Sequence, residues 1–137
     1  PFDNLSIAQN AGKFETGGTF NYLGVIGLNQ NIQLILEYGM DNIEKEIREL
    51  NRYLVQGLKK RRLNIISSTS DNHSSGICTF HLNEGFSKEK EFVKSACESG
   101  VFVSLRYVSG IGGIGISPHY HNNKKDIDRL FDCIDSF

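Results

Sequence analysis

The sequence lacks several features that would assign it at once to a broad class of protein. No apolar run approaches the ~20 residues of a membrane-spanning helix, and the N-terminus has no basic-then-apolar secretion pattern. Because 15 Lys and Arg nearly balance 16 Asp and Glu, no charge excess points to nucleic acid or an anionic membrane as partner. With two prolines and 39% hydrophobic residues, we expect a folded, soluble, cytoplasmic protein.

Cysteine is also scarce. Cys78, Cys97 and Cys133 are widely spaced and form no C-x-x-C pair, which disfavours a disulfide framework and a zinc knuckle. We predict that all three are small buried side chains in a reducing compartment. On a strand, His119 and His121 would point the same way, but with no third ligand nearby the sequence predicts no metal site.

The sequence does contain clear hydrophobic periodicity. Helical spacing begins at Tyr22 and stops at Gly39. A second, long amphipathic helix follows, with a capping box predicted at Asp41 and Glu44. It ends at the basic residues 59–62, which we interpret as a solvated helix terminus rather than a nucleic-acid patch.

The second half of the chain alternates between strand and helix patterns. Two more helices are predicted, one capped by Ser87 and one capped by Asn123. This order predicts an α+β fold: a roughly four-stranded, mainly antiparallel sheet covered by helices, with a long N-terminal helix and an extended N-terminal arm. We expect the arm to span residues 1–21 and the domain residues 22–137. The predicted strands are residues 63–66, 76–82, 101–106 and 114–117.

Glycines are concentrated in SGIGGIGIS, from Ser109 to Ser117, which contains G-x-G-x-x-G. A phosphate-binding loop of this type needs a helix directly after it, and Pro118 makes a helix there unfavourable. We therefore predict a short turn between two antiparallel strands instead of a nucleotide site.

Four stretches resemble the class V aminotransferase and cysteine desulfurase family of pyridoxal-phosphate enzymes. In relatives the first holds a phenylalanine-glutamate-x-glycine-threonine-proline-asparagine segment followed by a glycine-spaced helix. The resemblance runs through nearly the whole chain in the family's order. The stretches are FETGGTFNYLGVIGL, SSGICTFHL, ESGVFVSLR and ISPHYHNNKKDIDRLFDCI.

The resemblance implies a C-terminal small domain of a fold-type-I enzyme that acts on an amino acid as a homodimer. The arm would then lead out of a large domain that carries the cofactor-binding lysine. Since these residues contain no such motif, we expect no catalytic residue here and no activity or tight pyridoxal-phosphate binding by this piece alone. The chain begins at Pro1 and its only methionine is Met40, as expected of a piece of a longer protein.

The resemblance also implies roles for single residues. Thr19 matches a threonine that binds the cofactor phosphate across a dimer interface, although Phe20 stands where proline is usual. Arg106 matches an arginine that faces the active site and could bind a substrate carboxylate. Gly115 replaces an arginine that binds this carboxylate in many relatives, and residues 107–113 lack the cysteine of the desulfurase loop. Desulfuration is thus disfavoured, and a pseudoenzyme or an independent α+β binding or regulatory module stays open.

Overall fold

A computed structural model describes residues 9–14, 20–70 and 72–137. The chain divides into two compact units, with the boundary between Glu37 and Tyr38. Within the described residues, no helix is long and apolar enough to cross a bilayer.

The first unit contains a short 3₁₀ turn, Ala11–Phe14, and most of helix α1, Tyr22–Tyr38. The 3₁₀ turn lies within the segment expected to be an extended arm, most of which is outside the described residues. No side chain of α1 is buried. Its leucines are largely exposed, up to 83% at Leu23, so the helix presents an apolar surface with no core of its own.

The second unit holds the remaining elements. Helix α2 directly follows α1, separated from it by Gly39 alone, whose positive φ of 91° breaks the helical path. The elements are α2 (Met40–Lys60), β1 (Asn64–Ile65), β2 (Cys78–His81), α3 (Phe86–Glu98), β3 (Ser104–Val108), β4 (Ile111–Ile116) and α4 (Lys124–Ser136).

The four strands form one sheet in the order β1-β2-β4-β3, and every neighbouring pair is antiparallel. The predicted α+β class with a four-stranded antiparallel sheet is confirmed. Strand β4 is central, because Gly115 pairs with Thr79 of β2 on one side and with Ser104 of β3 on the other.

The core lies between one face of this sheet and helices α2, α3 and α4. Phe80 and Ile114, which are directly paired, are fully buried in one cluster with Phe92 of α3. Burying each large apolar side chain contributes about 1.5–3 kcal/mol. The other principal core residues are Leu54, Leu58, Cys78, Ala96, Ile127, Leu130 and Phe131.

Close packing of α2 on α4 depends on Gly57. A Cβ at this position would lie 2.0 Å from the Phe131 ring, so only glycine admits the ring against α2. Arg61 stacks on the same ring, 4.2 Å from its centroid, and its Nε donates to Asp135 at 2.7 Å. The basic end of α2 is therefore partly anchored on α4, whereas the sequence predicted a purely solvated terminus.

Two predicted helix caps are wrong and one is confirmed. Helices α2 and α3 begin after Gly39 and Gly85, and neither helix has a side-chain cap, so Asp41 and Ser87 cap nothing. Asn123 does cap α4, where its side chain accepts from Lys125 N and the Asp126 carboxylate closes a capping box.

The glycine-rich segment forms a hairpin rather than a loose loop. Val108 pairs with Ile111, which leaves Ser109 and Gly110 as a two-residue turn with φ of 52° and 80°. This is the geometry of a type I′ turn, which matches sheet twist. The later glycines lie inside β4, and a Cβ at Gly112 would come within 2.0 Å of the Arg106 carbonyl oxygen.

The cysteines and histidines differ in part from expectation. Cys78 is buried, and burial raises the pKa of its thiol to about 11, but Cys97 is exposed and Cys133 is half-buried. The prediction that all three are buried is wrong for Cys97. The His119 and His121 rings stack at 5.3 Å, and the described part of the chain contains no group of three candidate metal ligands.

Candidate functional site

The face of the sheet opposite the helices carries the predicted substrate residue. Arg106 pairs with Gly113, and directly paired residues project to the same face. Ser104, Thr79 and Gly115 lie on that face by the same register. The register thus brings Arg106 and Gly115 to one face, as a shared binding role requires.

Gly115 leaves the middle of this face without a side chain. A Cβ there would lie 2.9 Å from Ser104 Oγ, which in turn donates to the Gly115 carbonyl oxygen at 3.1 Å. Thr79 Oγ1 would be 4.0 Å from that Cβ. This glycine-floored face therefore has peptide backbone at its centre and two hydroxyl groups beside it. The exposed Arg106 lies on the same face, two residue pairs further along β3 and β4.

Arg106 is available to an anion. Among the described residues no carboxylate forms an ion pair with it, and its position on β3 is exposed. A guanidinium presents paired N–H donors that match a carboxylate in bidentate geometry. An exposed arginine beside a backbone floor can therefore bind a small carboxylate.

Behind β3, on the helix side, lies a buried polar network centred on Glu89. The Glu89 side chain is fully buried, and its Oε1 contacts His81 Nδ1 at 2.8 Å and accepts from Leu82 N at 3.2 Å. The Tyr107 hydroxyl donates to Glu89 Oε2 at 2.5 Å. A buried carboxylate of this kind is tolerable only because its oxygens are all bonded.

This network fixes the strand that carries Arg106. Tyr107 is the next residue on β3 and points to the opposite face, so the hydrogen bond to Glu89 anchors the strand at that point. Its bond to Glu89, its burial and the Glu89 charge raise the pKa of Tyr107 to about 12. The phenol therefore stays a hydrogen-bond donor at neutral pH.

The sequence analysis did not identify Glu89 or its partner His81 as functional residues. A signal was present, since Glu89 precedes Phe92 and Val93 by three and four residues and thus lies on the apolar stripe of α3. A carboxylate in such a stripe indicates either that the buried face of the helix is assigned wrongly or that the carboxylate is buried with a partner.

The predicted cofactor residue Thr19 lies outside the described residues, so its interaction with a phosphate stays a prediction. The lysines are all described, and every one of the nine is exposed. None occupies the desolvated surroundings that lower the pKa of a lysine for covalent chemistry with a carbonyl.

The fold and this face define a small α+β domain, with three helices on one side of an antiparallel sheet and a glycine-floored polar surface on the other. The pattern of the class-V aminotransferase family matches residues 2–130. The chain belongs to the class-V aminotransferase family.

Individual relatives agree. Over 136 residues the chain is 29% identical to an uncharacterized aminotransferase of Schizosaccharomyces pombe. Its fold is similar to that of a cysteine desulfurase from Thermococcus onnurineus NA1, with a TM-score of 0.82 and 17% identity over 99% of this chain. It is also similar to a NifS-like protein, with a TM-score of 0.74 and 20% identity over 95% of this chain.

The chain spans about a third of each of these relatives. It covers 32% of the S. pombe protein, 36% of the desulfurase and 38% of the NifS-like protein. It corresponds to one part of such an enzyme.

Proposed function

We propose that the chain is the C-terminal domain of a pyridoxal-phosphate-dependent, class-V aminotransferase-like enzyme acting on an amino acid. The family match over residues 2–130, combined with coverage of only a third of the relatives, carries this proposal. The arm of residues 1–21 leads from the cofactor-binding domain, and residues 22–137 form the small domain. The parent enzyme is a cytoplasmic homodimer.

In this enzyme Arg106 binds the substrate carboxylate. The absence of an ion-pair partner among the described residues and the exposed position on the glycine-floored face support this role. A bidentate pair with the carboxylate orients the amino acid, and Tyr107 with Glu89 holds the strand that carries the arginine. Closure of the domain over the substrate excludes water.

Pyridoxal phosphate, when bound by the parent enzyme, supplies the electron sink for bond breaking next to the amino group. Residues on this chain fit only a supporting role. All nine lysines are exposed on the surface, so the covalent attachment belongs to the rest of the enzyme. Thr19 contributes a hydroxyl to the cofactor phosphate across the dimer interface, and the chain alone is inactive.

A pseudoenzyme domain is the second candidate, and Gly115 favours it. Glycine cannot make the carboxylate contact of the arginine found in many relatives, and an arginine introduced here would force Ser104 Oγ to move. Either Arg106 alone binds the carboxylate, the substrate differs from that of these relatives, or the protein has lost activity.

The full-length parent separates these candidates. We expect the purified protein to show the visible absorbance of protein-bound pyridoxal phosphate and to change this spectrum when amino acids are added. The 137-residue chain, measured in parallel, should show no such absorbance. Cofactor absorbance that no amino acid perturbs would favour the pseudoenzyme, and a parent that binds no cofactor would contradict the proposal.

A further inference from the structure

A second polar groove lies between α2 and the segment that connects β1 to β2, of which residues 67–70 and 72–75 are described. Its volume is about 540 Å³, within the ~300–1,000 Å³ range of small-molecule sites. One wall consists of cationic side chains from α2 and the other of hydroxyl-bearing residues. The main lining residues are Arg48, Arg52, Lys59, Thr69, Ser74 and Ser75.

The cationic residues lie on one stripe of α2. Arg48, Arg52 and Lys59 follow a spacing of four and seven residues, which places all three on the same helix face. Arg52 and Lys59 are about 10 Å apart along the helix axis, a distance that two long side chains can bridge to meet a single anion.

The positive charge of this groove is only partly balanced. Arg48 forms an ion pair with Glu44 at 2.6 Å. Within the described residues, Arg52 and Lys59 form no ion pair, and Lys59 Nζ contacts only the hydroxyl of Thr69, at 3.5 Å. Arg52 Nε donates to the Arg48 carbonyl oxygen at 3.3 Å. Two cations near the hydroxyl of Thr69, neither in an ion pair among the described residues, favour an anion with several acceptor oxygens.

The groove also contains a built polar element. Asn51, only 6% exposed, lines it and donates from Nδ2 to the Ser75 carbonyl oxygen at 2.8 Å, which fastens the segment to α2. Its Oδ1 is buried and has no hydrogen-bond partner among the described residues. As an acceptor, Oδ1 can bond only to a donor, and a water that donates to both Oδ1 and an anion in the groove would satisfy it.

We propose that this groove binds the phosphate group of a small phosphorylated molecule, with Arg52 and Lys59 as the charged ligands and Thr69 as a hydroxyl donor. The site is separate from the Arg106 face and does not depend on the proposed enzymatic function. A phosphate offers three acceptor oxygens and up to two negative charges, which match the donors and cations present.

The test is an NMR titration of the ¹⁵N-labelled 137-residue chain with inorganic phosphate and with pyrophosphate, at constant ionic strength. We expect saturable shift changes at Thr69, Ser74 and the Arg52 side chain. Substituting Arg52→Gln or Lys59→Gln should weaken binding about tenfold, the loss of one charge-assisted contact. The matched control Lys60→Gln removes the same charge from a residue that does not line the groove, and it should leave affinity unchanged.

Folding of every variant is checked by comparing the amide spectrum of core residues in the sheet. If Lys59→Gln and Lys60→Gln weaken anion binding equally, the binding reflects only the overall positive charge, and the proposal is overturned. Chemical-shift changes that do not saturate would also overturn it. A single-stranded oligonucleotide that binds the same residues far more tightly than pyrophosphate would also overturn it, in favour of a nucleic-acid surface.

Discussion

The Glu89 carboxylate has no exposed surface, and a buried carboxylate is tolerated only when hydrogen-bond partners compensate its lost hydration. A substitution at Glu89 should therefore change the stability of the domain measurably. The substitution Glu89→Gln keeps the shape of the side chain but removes the carboxylate that contacts both His81 and Tyr107. We expect the free energy of unfolding in urea to fall by about 2 kcal/mol. Glu91→Gln, on the exposed side of α3, is the control and should change it little. Equal effects of the two would contradict the network.

The ionisation of Tyr107 gives the same network a pH signature. An unfolded tyrosine ionises near pH 10, whereas the folded Tyr107 has a pKa of about 12. Between these values the unfolded state loses a proton that the folded state keeps, so stability present below pH 10 is lost as pH rises toward 12.

Urea unfolding from pH 8 to 12 measures this loss. Tyr53, whose pKa is also raised through its bond to Asp128, contributes in the same direction. Tyr107→Phe should therefore flatten the pH dependence without abolishing it. An unchanged slope in this variant would show that Tyr107 is not held by Glu89 in solution.

Arg106 is the residue on which the proposed enzymatic role depends. In the full-length parent, Arg106→Lys keeps the charge but loses the bidentate geometry. We expect KM for the amino acid to rise about tenfold or more with a smaller change in kcat, since in the proposed role the arginine binds the carboxylate and not the reacting atoms. Lys125→Gln, on the surface of α4, serves as control. An unaltered KM would remove Arg106 from the site.

At the scale of elements, the β3–β4 hairpin has a serine at a turn position that favours another residue. Ser109 adopts a positive φ of 52° in a type I′ turn, where asparagine followed by glycine is preferred. Ser109→Asn should raise the free energy of unfolding by about 0.5–1 kcal/mol, and Ser109→Val should lower it. A thermal or urea denaturation of both variants is sufficient, and the opposite order would contradict the turn assignment.

The helices and strands could be predicted from the sequence because burial against the core requires apolar residues at regular intervals. Alternation in β2 and the stripes of α2 and α4 reflect burial directly, so their approximate positions could be read. The caps of α2 and α3 could not, because Gly39 and Gly85 begin these helices through backbone conformation without a side-chain signal. The start of β3 was also predicted too early, since residues 101–103 precede its first paired residue, Ser104.

The candidate site was harder to predict from the sequence than the helices and strands, because it depends on how the strands pair. Whether Arg106 and Gly115 share a face depends on the pairing of β3 with β4, and a shift of one residue would reverse it. The partners of Glu89 come from β2 and β3, so only the folded sheet brings them together.

For the whole molecule, the contrast between the two units is the main feature. The second unit has a continuous core, whereas α1 buries no side chain despite apolar residues on all sides. A helix that is hydrophobic all round is normally covered by other structure. In the proposed parent enzyme, we therefore expect other structure to cover α1.

This inference predicts opposite effects in two contexts. Leu28→Gln and Leu36→Gln replace leucines that are 59% and 67% exposed in the chain. In the 137-residue chain they should reduce self-association, measured by sedimentation velocity, because they remove exposed apolar surface. In the full-length parent each should lower stability by about 1.5–3 kcal/mol, because the leucine is buried there. The control is Gln33→Glu, which changes a polar residue of the same helix and removes no apolar surface. If the leucine variants of the parent are as stable as this control, α1 is not covered in the parent.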